Sequence, residues 1–350
     1  MPTRFEATRE DLADLLAGEP RYRVDQVWDG LYRRTLDPAA MTDLPMRLRT
    51  RLEDALPPSL TAAAEVASGG GETVKWVWRL RGGATIETVL MHYAKRSTVC
   101  VSSQAGCAMG CGFCATGQAG FNRNLEVGEI VEQVVRAARR TVETGRRLSN
   151  VVFMGMGEPM ANYDRVEASL RRLQGELGLS ARHLTVSTVG IVPGIRRLAA
   201  SGMACNLAVS LHAANDALRD TLVPVNRHYP LDVLLAACAE HGAATGRRLS
   251  FEWALIDGVN DRPDDAVELA AHARRLRAHV NLIPLNPTPG WSTQGTPRAG
   301  VIRFRDHLLA LGARATVRQN RGTSIDAACG QLRAVTIARG GRSAATGPGS

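Results

Sequence analysis

Three cysteines, Cys107, Cys111 and Cys114, sit in the run Gln104-Ala-Gly-Cys-Ala-Met-Gly-Cys-Gly-Phe-Cys-Ala-Thr-Gly117, spaced Cys-x3-Cys-x2-Cys. Clustered thiolates of this kind suit either an iron–sulfur cluster or zinc. No fourth cysteine is close, and no histidine lies between His92 and His183. A structural zinc site needs that fourth ligand to close its tetrahedron. A 4Fe–4S cluster normally takes four thiolates, so three leave one iron open to a substrate or cofactor. Gly106, Gly110 and Gly112 would let the loop wrap a cluster without Cβ clashes. Buried packing is the competing reading of the same cysteines, and the neighbouring motifs have to decide.

Further candidates fall just past stretches that read as strands. Gly155-Met-Gly-Glu-Pro159 is a glycine-rich turn in which Gly157 permits close backbone approach and Glu158 could accept a hydrogen bond from an ammonium group. Such a turn is equally an ordinary strand-to-helix connector. Ser187, the run Ser210-Leu211-His212, and Asn286 each read alone as a cap or a satisfied core residue. Their shared place at strand ends is what groups them. Cys100 lies within a strand, seven residues before Cys107, and Cys329 sits in the small-residue loop Ser324-Ile-Asp-Ala-Ala-Cys-Gly-Gln-Leu332, where its sulfur would be accessible. Cys205 and Cys238 stand in apolar contexts and read as small buried hydrophobes. Glu87, inside Ile86-Glu-Thr-Val-Leu90, is expected to face solvent by simple strand alternation.

The elements that must position these groups follow from pattern. Residues 1 to about 58 read as short helices over Arg9–Leu16, Tyr22–Tyr32 and Pro45–Leu56, stopped by Pro57-Pro58. The basic, aromatic Tyr22–Arg34 stretch reads as a small packed bundle with Trp28 inside, or as a nucleic-acid contact. Residues 59–97 form a connector whose runs Thr73–Leu80 and Ala84–His92, joined through Arg-Gly-Gly, signal a hairpin. From residue 98 to about 335 strands and helices alternate, with strands expected at Thr98–Ser102, Asn150–Met154, His183–Thr188, Asn206–Leu211, Leu249–Ala254, Val280–Leu285 and Ala315–Val317. Helices fill Val127–Thr144, Tyr163–Leu177, Ile195–Ala200, Leu231–His241, Asp264–Arg277 and Arg298–Leu311. That is the signature of an α/β fold with a parallel sheet, here a partial (β/α)6 barrel. Chemistry should gather at the carboxyl ends of its strands. The Gly/Ser/Ala-rich residues 336–350 are expected to be a disordered tail.

Composition narrows the class. No apolar run reaches membrane-spanning length, and MPTRFEATRE lacks a secretory core. Seven cysteines, three of them clustered, do not resemble a disulfide framework, so a reducing cytoplasm is expected. The net charge is +9, and Lys75 and Lys95 are the only lysines among 43 basic residues. Arginine-biased codon usage accounts for that blandly; a phosphate-binding surface accounts for it functionally.

Together these motifs resemble the radical SAM superfamily and, within it, the RlmN family, over about Tyr22 to Leu332. The pieces carrying the resemblance are Cys100-Val-Ser-Ser-Gln-Ala-Gly-Cys107, Gly120-Phe-Asn-Arg-Asn-Leu125, Met154-Gly-Met-Gly-Glu-Pro159, Asn281-Leu-Ile-Pro-Leu-Asn-Pro287 and Ala327-Ala-Cys-Gly-Gln-Leu332. The resemblance implies a methyltransferase acting on carbon 2 of adenosine in 23S rRNA and tRNA. It implies that Cys107, Cys111 and Cys114 ligate one 4Fe–4S cluster. Its open iron would take the amino and carboxylate groups of S-adenosylmethionine, and Gly157, Glu158, Ser187, Ser210, Leu211, His212 and Asn286 would hold the rest. It further implies Cys329 as methyl carrier, Cys100 as its resolving partner through a transient disulfide, and either Glu87 or Cys100 as the acceptor of the base proton. Two S-adenosylmethionine molecules would be consumed per turnover, one methylating Cys329 and one cleaved to a 5′-deoxyadenosyl radical. A flavodoxin-type electron donor, a cytoplasmic location, a monomer and an RNA-contacting N-terminal accessory domain are implied as well. The chain departs from the family pattern at Arg318-Gln-Asn-Arg321 and at Thr323-Ser324. A carbon-8 adenosine methyltransferase, and an RNA-binding protein with a structural metal site, are the alternatives.

Overall fold

The computed structural model describes residues 2–288, 291–318, 322, 325–328 and 330–332. The chain opens with α1 (Arg9–Leu15), α2 (Tyr22–Tyr32) and α3 (Met46–Ala55). Thr8 and Asp11 form a reciprocal capping box that satisfies the first N–H groups of α1. Trp28 of α2 is buried, as the packed-bundle reading expects, with Tyr32 at 4.7 Å. The indole N–H of Trp28 meets Glu176, and Arg33 Nη2 donates to the Gly175 carbonyl at 3.2 Å, so the helices dock on the following fold. One hydrophobic cluster runs through both.

Three antiparallel strands follow, β1 (Leu60–Ser68), β2 (Thr73–Leu80) and β3 (Thr85–His92). The hairpin β2–β3 is where the Arg-Gly-Gly signal predicts it, whereas β1 is an addition. Its Ala-rich run is mostly exposed and lacks the alternation that marks a half-buried strand. β4 (Ser97–Cys100) pairs antiparallel to β3 and starts the parallel sheet. A short hairpin of β5 (Gln104–Gly106) and β6 (Phe121–Asn124) flanks α4 (Ala115–Gln118).

The remainder alternates: α5 (Val127–Glu143), β7 (Leu148–Phe153), α6 (Tyr163–Gly175), β8 (Leu184–Thr188), α7 (Val192–Ala200), β9 (Asn206–Ser210) and α8 (Asp216–Leu222). Then come α9 (Leu231–Thr245), β10 (Leu249–Leu255), α10 (Pro263–Arg275), β11 (His279–Pro284), α11 (Arg298–Ala310) and β12 (Arg314–Val317). The large sheet runs β1-β2-β3-β4-β7-β8-β9-β10-β11-β12, parallel from β4 onward and open at both ends. The strands β4, β7, β8, β9, β10 and β11 each lead to a helix, the six β/α units that the sequence pattern predicts.

Burial explains the hydropathy. Every residue of β10 is buried, as a strand covered on both faces must be. In α5 the stripe Ile130, Val131, Val134 and Val135 is wholly buried, which fixes the face that packs on the sheet. Cys205 and Cys238 lie in that core, as expected. Among the described residues no helix is long and apolar enough to cross a membrane. Cys329, Thr323, Ser324 and the tail lie outside the described residues.

Candidate active site

The cysteine loop is closed by its own hairpin. Cys107 N–H donates to the Gly120 carbonyl at 2.8 Å, joining the end of β5 to the start of β6. Gly106 has φ +77°, and a Cβ there would stand 2.0 Å from the Gly120 oxygen, so no other residue fits unshifted. Cys114 N–H donates to the Cys111 carbonyl at 3.1 Å and Cys114 caps α4. All three cysteines line one cavity. Burial pushes the Cys107 thiol up to about 12 and the Cys111 thiol higher still. Without a compensating cation these sulfurs keep their protons.

The walls of the cavity are the loops after the parallel strands. After β7, Gly157 has φ +97° and its Cα lies against Gln104, whose Oε1 accepts from Glu158 N–H at 2.8 Å. The Glu158 carboxylate accepts from Met160 N–H at 3.0 Å and Val189 N–H at 2.9 Å, tying the β7 and β8 loops together. Burial lifts its pKa to about 7, against the pull of these bonds. Ser187, in β8, donates its hydroxyl to the Phe153 carbonyl at 2.8 Å. After β9, His212 adopts φ +59° and stacks edge-on to Phe113 at 4.7 Å. Its Nδ1 accepts from Ala254 N–H at 3.0 Å, which leaves the proton on Nε2 as a donor. Burial, with Arg219 nearby, lowers His212 to about 3, so the ring is neutral. Ser210 and Asn286 complete the wall. Leu211 is fully buried in the core and meets its surroundings through backbone: Leu211 N–H donates to the Glu252 carbonyl at 3.0 Å.

Cys100, at the end of β4, is buried in the same wall. Position 329 is outside the described residues, but its neighbours Ala328 and Gly330 line the cavity. That segment is held at several points: Ala115 N–H donates to the Gly330 carbonyl at 2.8 Å, and Thr116 Oγ1 bonds the Leu332 carbonyl. Glu87 is the one residue whose expected environment is reversed. It is buried, 3% exposed, because β3 is interior to the sheet and covered on both sides. It shares a strand face with Val89 and Met91, which line the cavity, and pairs with Lys75 Nζ at 3.6 Å.

Residues that pattern reading passes over also converge here. Glu252 of β10 faces the cavity and accepts from Asn281 Nδ2 at 2.8 Å, with Arg318 Nη1 4.0 Å away. A carboxylate in the apolar run Phe251–Leu255 is the signal that could have found it. Arg219 is fully buried beneath the loops. It donates to the carbonyls of Leu211 (3.0 Å), Val189 (2.6 Å) and Ser210 (3.3 Å) and to Asn226 Oδ1 (2.7 Å). Its place in a helix rich in charge reads from sequence as surface.

The donor set fits a 4Fe–4S cluster. Among the described residues no three His, Cys, Asp or Glu side chains converge as a site for a single metal ion. Zinc would need its sulfurs about 2.3 Å from one centre. In a cluster each thiolate binds its own iron, and Cys107, Cys111 and Cys114 all line one cavity. An open, mostly parallel sheet bearing a three-cysteine loop at the carboxyl edge of its strands defines a radical SAM enzyme. The sequence model described as "Radical SAM superfamily" matches residues 101–270.

Relatives narrow the class. A protein of Parafrankia sp. (strain EAN1pec) named "Probable dual-specificity RNA methyltransferase RlmN" is 55% identical, over 91% of this chain and 87% of that one. One of the same name from Corynebacterium glutamicum is 48% identical, over 95% and 94%. The crystal structure of a radical SAM methyltransferase from Sphaerobacter thermophilus superposes with a TM-score of 0.92 at 51% identity, over 96% of this chain and all of that one. The chain belongs to the RlmN family of radical SAM methyltransferases, and works with a 4Fe–4S cluster and S-adenosylmethionine.

Proposed function

We propose that this chain methylates carbon 2 of adenosine in 23S rRNA and in tRNA, through an S-methylcysteine on Cys329. The observation that carries the reading is a convergence: Cys107, Cys111, Cys114, Cys100 and both neighbours of Cys329 line one cavity. Relatives named dual-specificity RNA methyltransferases support the substrate class.

Cys107, Cys111 and Cys114 would hold the cluster, and Gly157 and Glu158, on the same cavity wall, would receive the amino and carboxylate end of S-adenosylmethionine. When bound, the cluster supplies the electron that cleaves S-adenosylmethionine to a 5′-deoxyadenosyl radical. Ser187, Ser210 and Asn286 offer polar groups to the cofactor, His212 offers Nε2–H, and Leu211 contributes backbone. Carbon 2 of adenine is electron-poor, so a sulfonium methyl is not transferred to it directly. Cys329 first takes a methyl group from one S-adenosylmethionine. Hydrogen abstraction from that S-methyl gives a carbon radical that adds to the base, linking Cys329 to RNA by a thioether. Glu87 accepts the base proton. Cys100 then attacks the Cys329 sulfur as a thiolate, forming a disulfide while the bond from sulfur to the bridging carbon breaks and that carbon takes a proton to become the methyl group. Two S-adenosylmethionine molecules are used per turnover; the unpaired electron left on the base would pass back to the cluster, and two electrons from a flavodoxin-type donor would reduce the Cys100–Cys329 disulfide.

The target base has to leave its stack to reach this cavity. The helices of residues 1–58 act as an accessory RNA contact, residues 59–97 as a connector and residues 98–335 as the catalytic core, in a monomer working in the cytoplasm. The test is anaerobic reconstitution with S-adenosylmethionine, reductant and unmodified RNA, followed by nucleoside mass spectrometry. The expected product is 2-methyladenosine, absent from Cys329→Ala. A product of 8-methyladenosine would assign the carbon-8 reaction instead.

A further inference from the structure

Lys75 is an unusual residue for this chain. Arginine is almost its only base, yet the cation buried beside Glu87 is a lysine. The other lysine, Lys95, is exposed. In the β2–β3–β4 ladder Lys75 stands opposite Val89, and Val89 stands opposite Cys100, so the three form one row across a single sheet face. Val89 and Cys100 line the cavity. From that row the Lys75 ammonium lies 3.6 Å diagonally from Glu87 Oε2. It also donates to the Asp326 carbonyl at 3.2 Å. Asp326 sits in a left-handed conformation, φ +49°, three residues before Cys329. A compact ammonium with three rotatable donors can bridge a carboxylate and a carbonyl where a planar guanidinium fork would need more room.

We propose that Lys75 is a positioning residue that fixes the proton-accepting carboxylate of Glu87 and the segment carrying Cys329 relative to one another. The proposal rests on the roles assigned above to Glu87 and Cys329. The ammonium compensates a buried carboxylate, which would otherwise resist ionisation. Its bond to Asp326 ties the methyl-carrying segment to the same strand face. No covalent step passes through Lys75. Lys75 on β2 is the charged group that faces the Glu87 carboxylate among the described residues, at 3.6 Å.

The test compares wild type with Lys75→Met, Lys75→Arg and Glu87→Gln. The first readout is the alkylation rate of Cys329, mapped by peptide mass in the full-length, cluster-loaded protein before S-adenosylmethionine is added. Lys75→Met is expected to raise it about tenfold, the factor that a lost charge-assisted bond carries in a local opening equilibrium. Glu87→Gln should leave it near wild type, since Asp326 stays held. The second readout is methylated adenosine formed per 5′-deoxyadenosine released. Lys75→Met should cleave S-adenosylmethionine but lose most of its product, and Lys75→Arg, which keeps the charge, should recover part of it. An unchanged alkylation rate in Lys75→Met, or a loss of product matched by an equal loss of 5′-deoxyadenosine, overturns the proposal. Full product from Glu87→Gln would instead overturn the assignment of Glu87, and the alkylation rate would still decide the Lys75–Asp326 arm.

Discussion

Arg219→Met is the substitution whose cost can be worked most fully. Methionine keeps the length and apolar packing of the side chain but strands four acceptors: the Leu211, Val189 and Ser210 carbonyls and Asn226 Oδ1. Each stranded buried acceptor costs about 1–3 kcal/mol. Removing the cation relieves part of that, because a fully buried guanidinium carries its own desolvation cost. The net loss is about 3–5 kcal/mol, below the sum for four stranded acceptors because that relief offsets part of it. At about 2.1 cal/mol/K of unfolding entropy per residue, a chain of 350 residues loses about 1.4 °C of Tm per kcal/mol, hence about 4–7 °C here. The carbonyls at 189 and 211 belong to the loops after β8 and β9 and that of 210 ends β9, so S-adenosylmethionine affinity should fall as well, by tenfold or more for about 1.4 kcal/mol of lost order. Differential scanning calorimetry of the cluster-free chain reads the first effect, and equilibrium dialysis of the loaded enzyme reads the second. A Tm within about 1 °C of wild type, with affinity intact, would refute the idea that Arg219 organises these loops.

Other outcomes follow from the same geometry. Gly106→Ala places a Cβ against the Gly120 carbonyl and should displace the hairpin that closes the cysteine loop; iron content after anaerobic reconstitution should drop to a minor fraction of wild type, and a normal content would contradict the packing argument. Two buried groups give stability opposite pH trends. Glu158, raised to about 7 from 4.5, holds a proton that the unfolded chain releases, so its contribution is lost as pH rises between those values. His212, lowered to about 3 from 6.5, costs stability as pH falls below 6.5. Glu158→Gln removes the first trend, so its Tm should fall more steeply than that of wild type from about pH 7 to about pH 5; parallel curves would reject the assignment. RNA binding, measured by filter retention, should weaken linearly in log–log salt with a slope of roughly −0.7 per phosphate neutralised on single-stranded sites. A flat dependence would show that the arginine surface does not hold RNA.

Much of this arrangement could be read from the sequence because parallel strands in a covered sheet carry buried apolar residues along their length, as Leu207-Ala-Val209 of β9 do. Polar residues at their carboxyl ends, such as Ser187, His212 and Asn286, therefore stand out. The cysteine spacing is local and survives without knowledge of the fold. What eluded pattern reading depends on tertiary cover. Glu87 alternates like a surface residue, yet β2 and β4 flank its strand and the interior claims both faces. β1 carries alanines too small to mark a face. β5 and β6 are too short to give a period, and the hairpin shows only in their ladder pairing and in the bond from Cys107 N–H to the Gly120 carbonyl. Arg219 is an ordinary basic residue, and Lys75 merely a rare lysine, until the structure shows what lies around them.

Isotope-labelled S-adenosylmethionine tests the central claim most directly. With a fully deuterated methyl group, transfer through Cys329 requires one deuterium to leave to 5′-deoxyadenosine before the carbon joins the base. The account therefore predicts 2-methyladenosine carrying two methyl deuterium atoms, together with singly deuterated 5′-deoxyadenosine. A product that keeps all three would mean that the methyl group moves intact, and would contradict the route through Cys329.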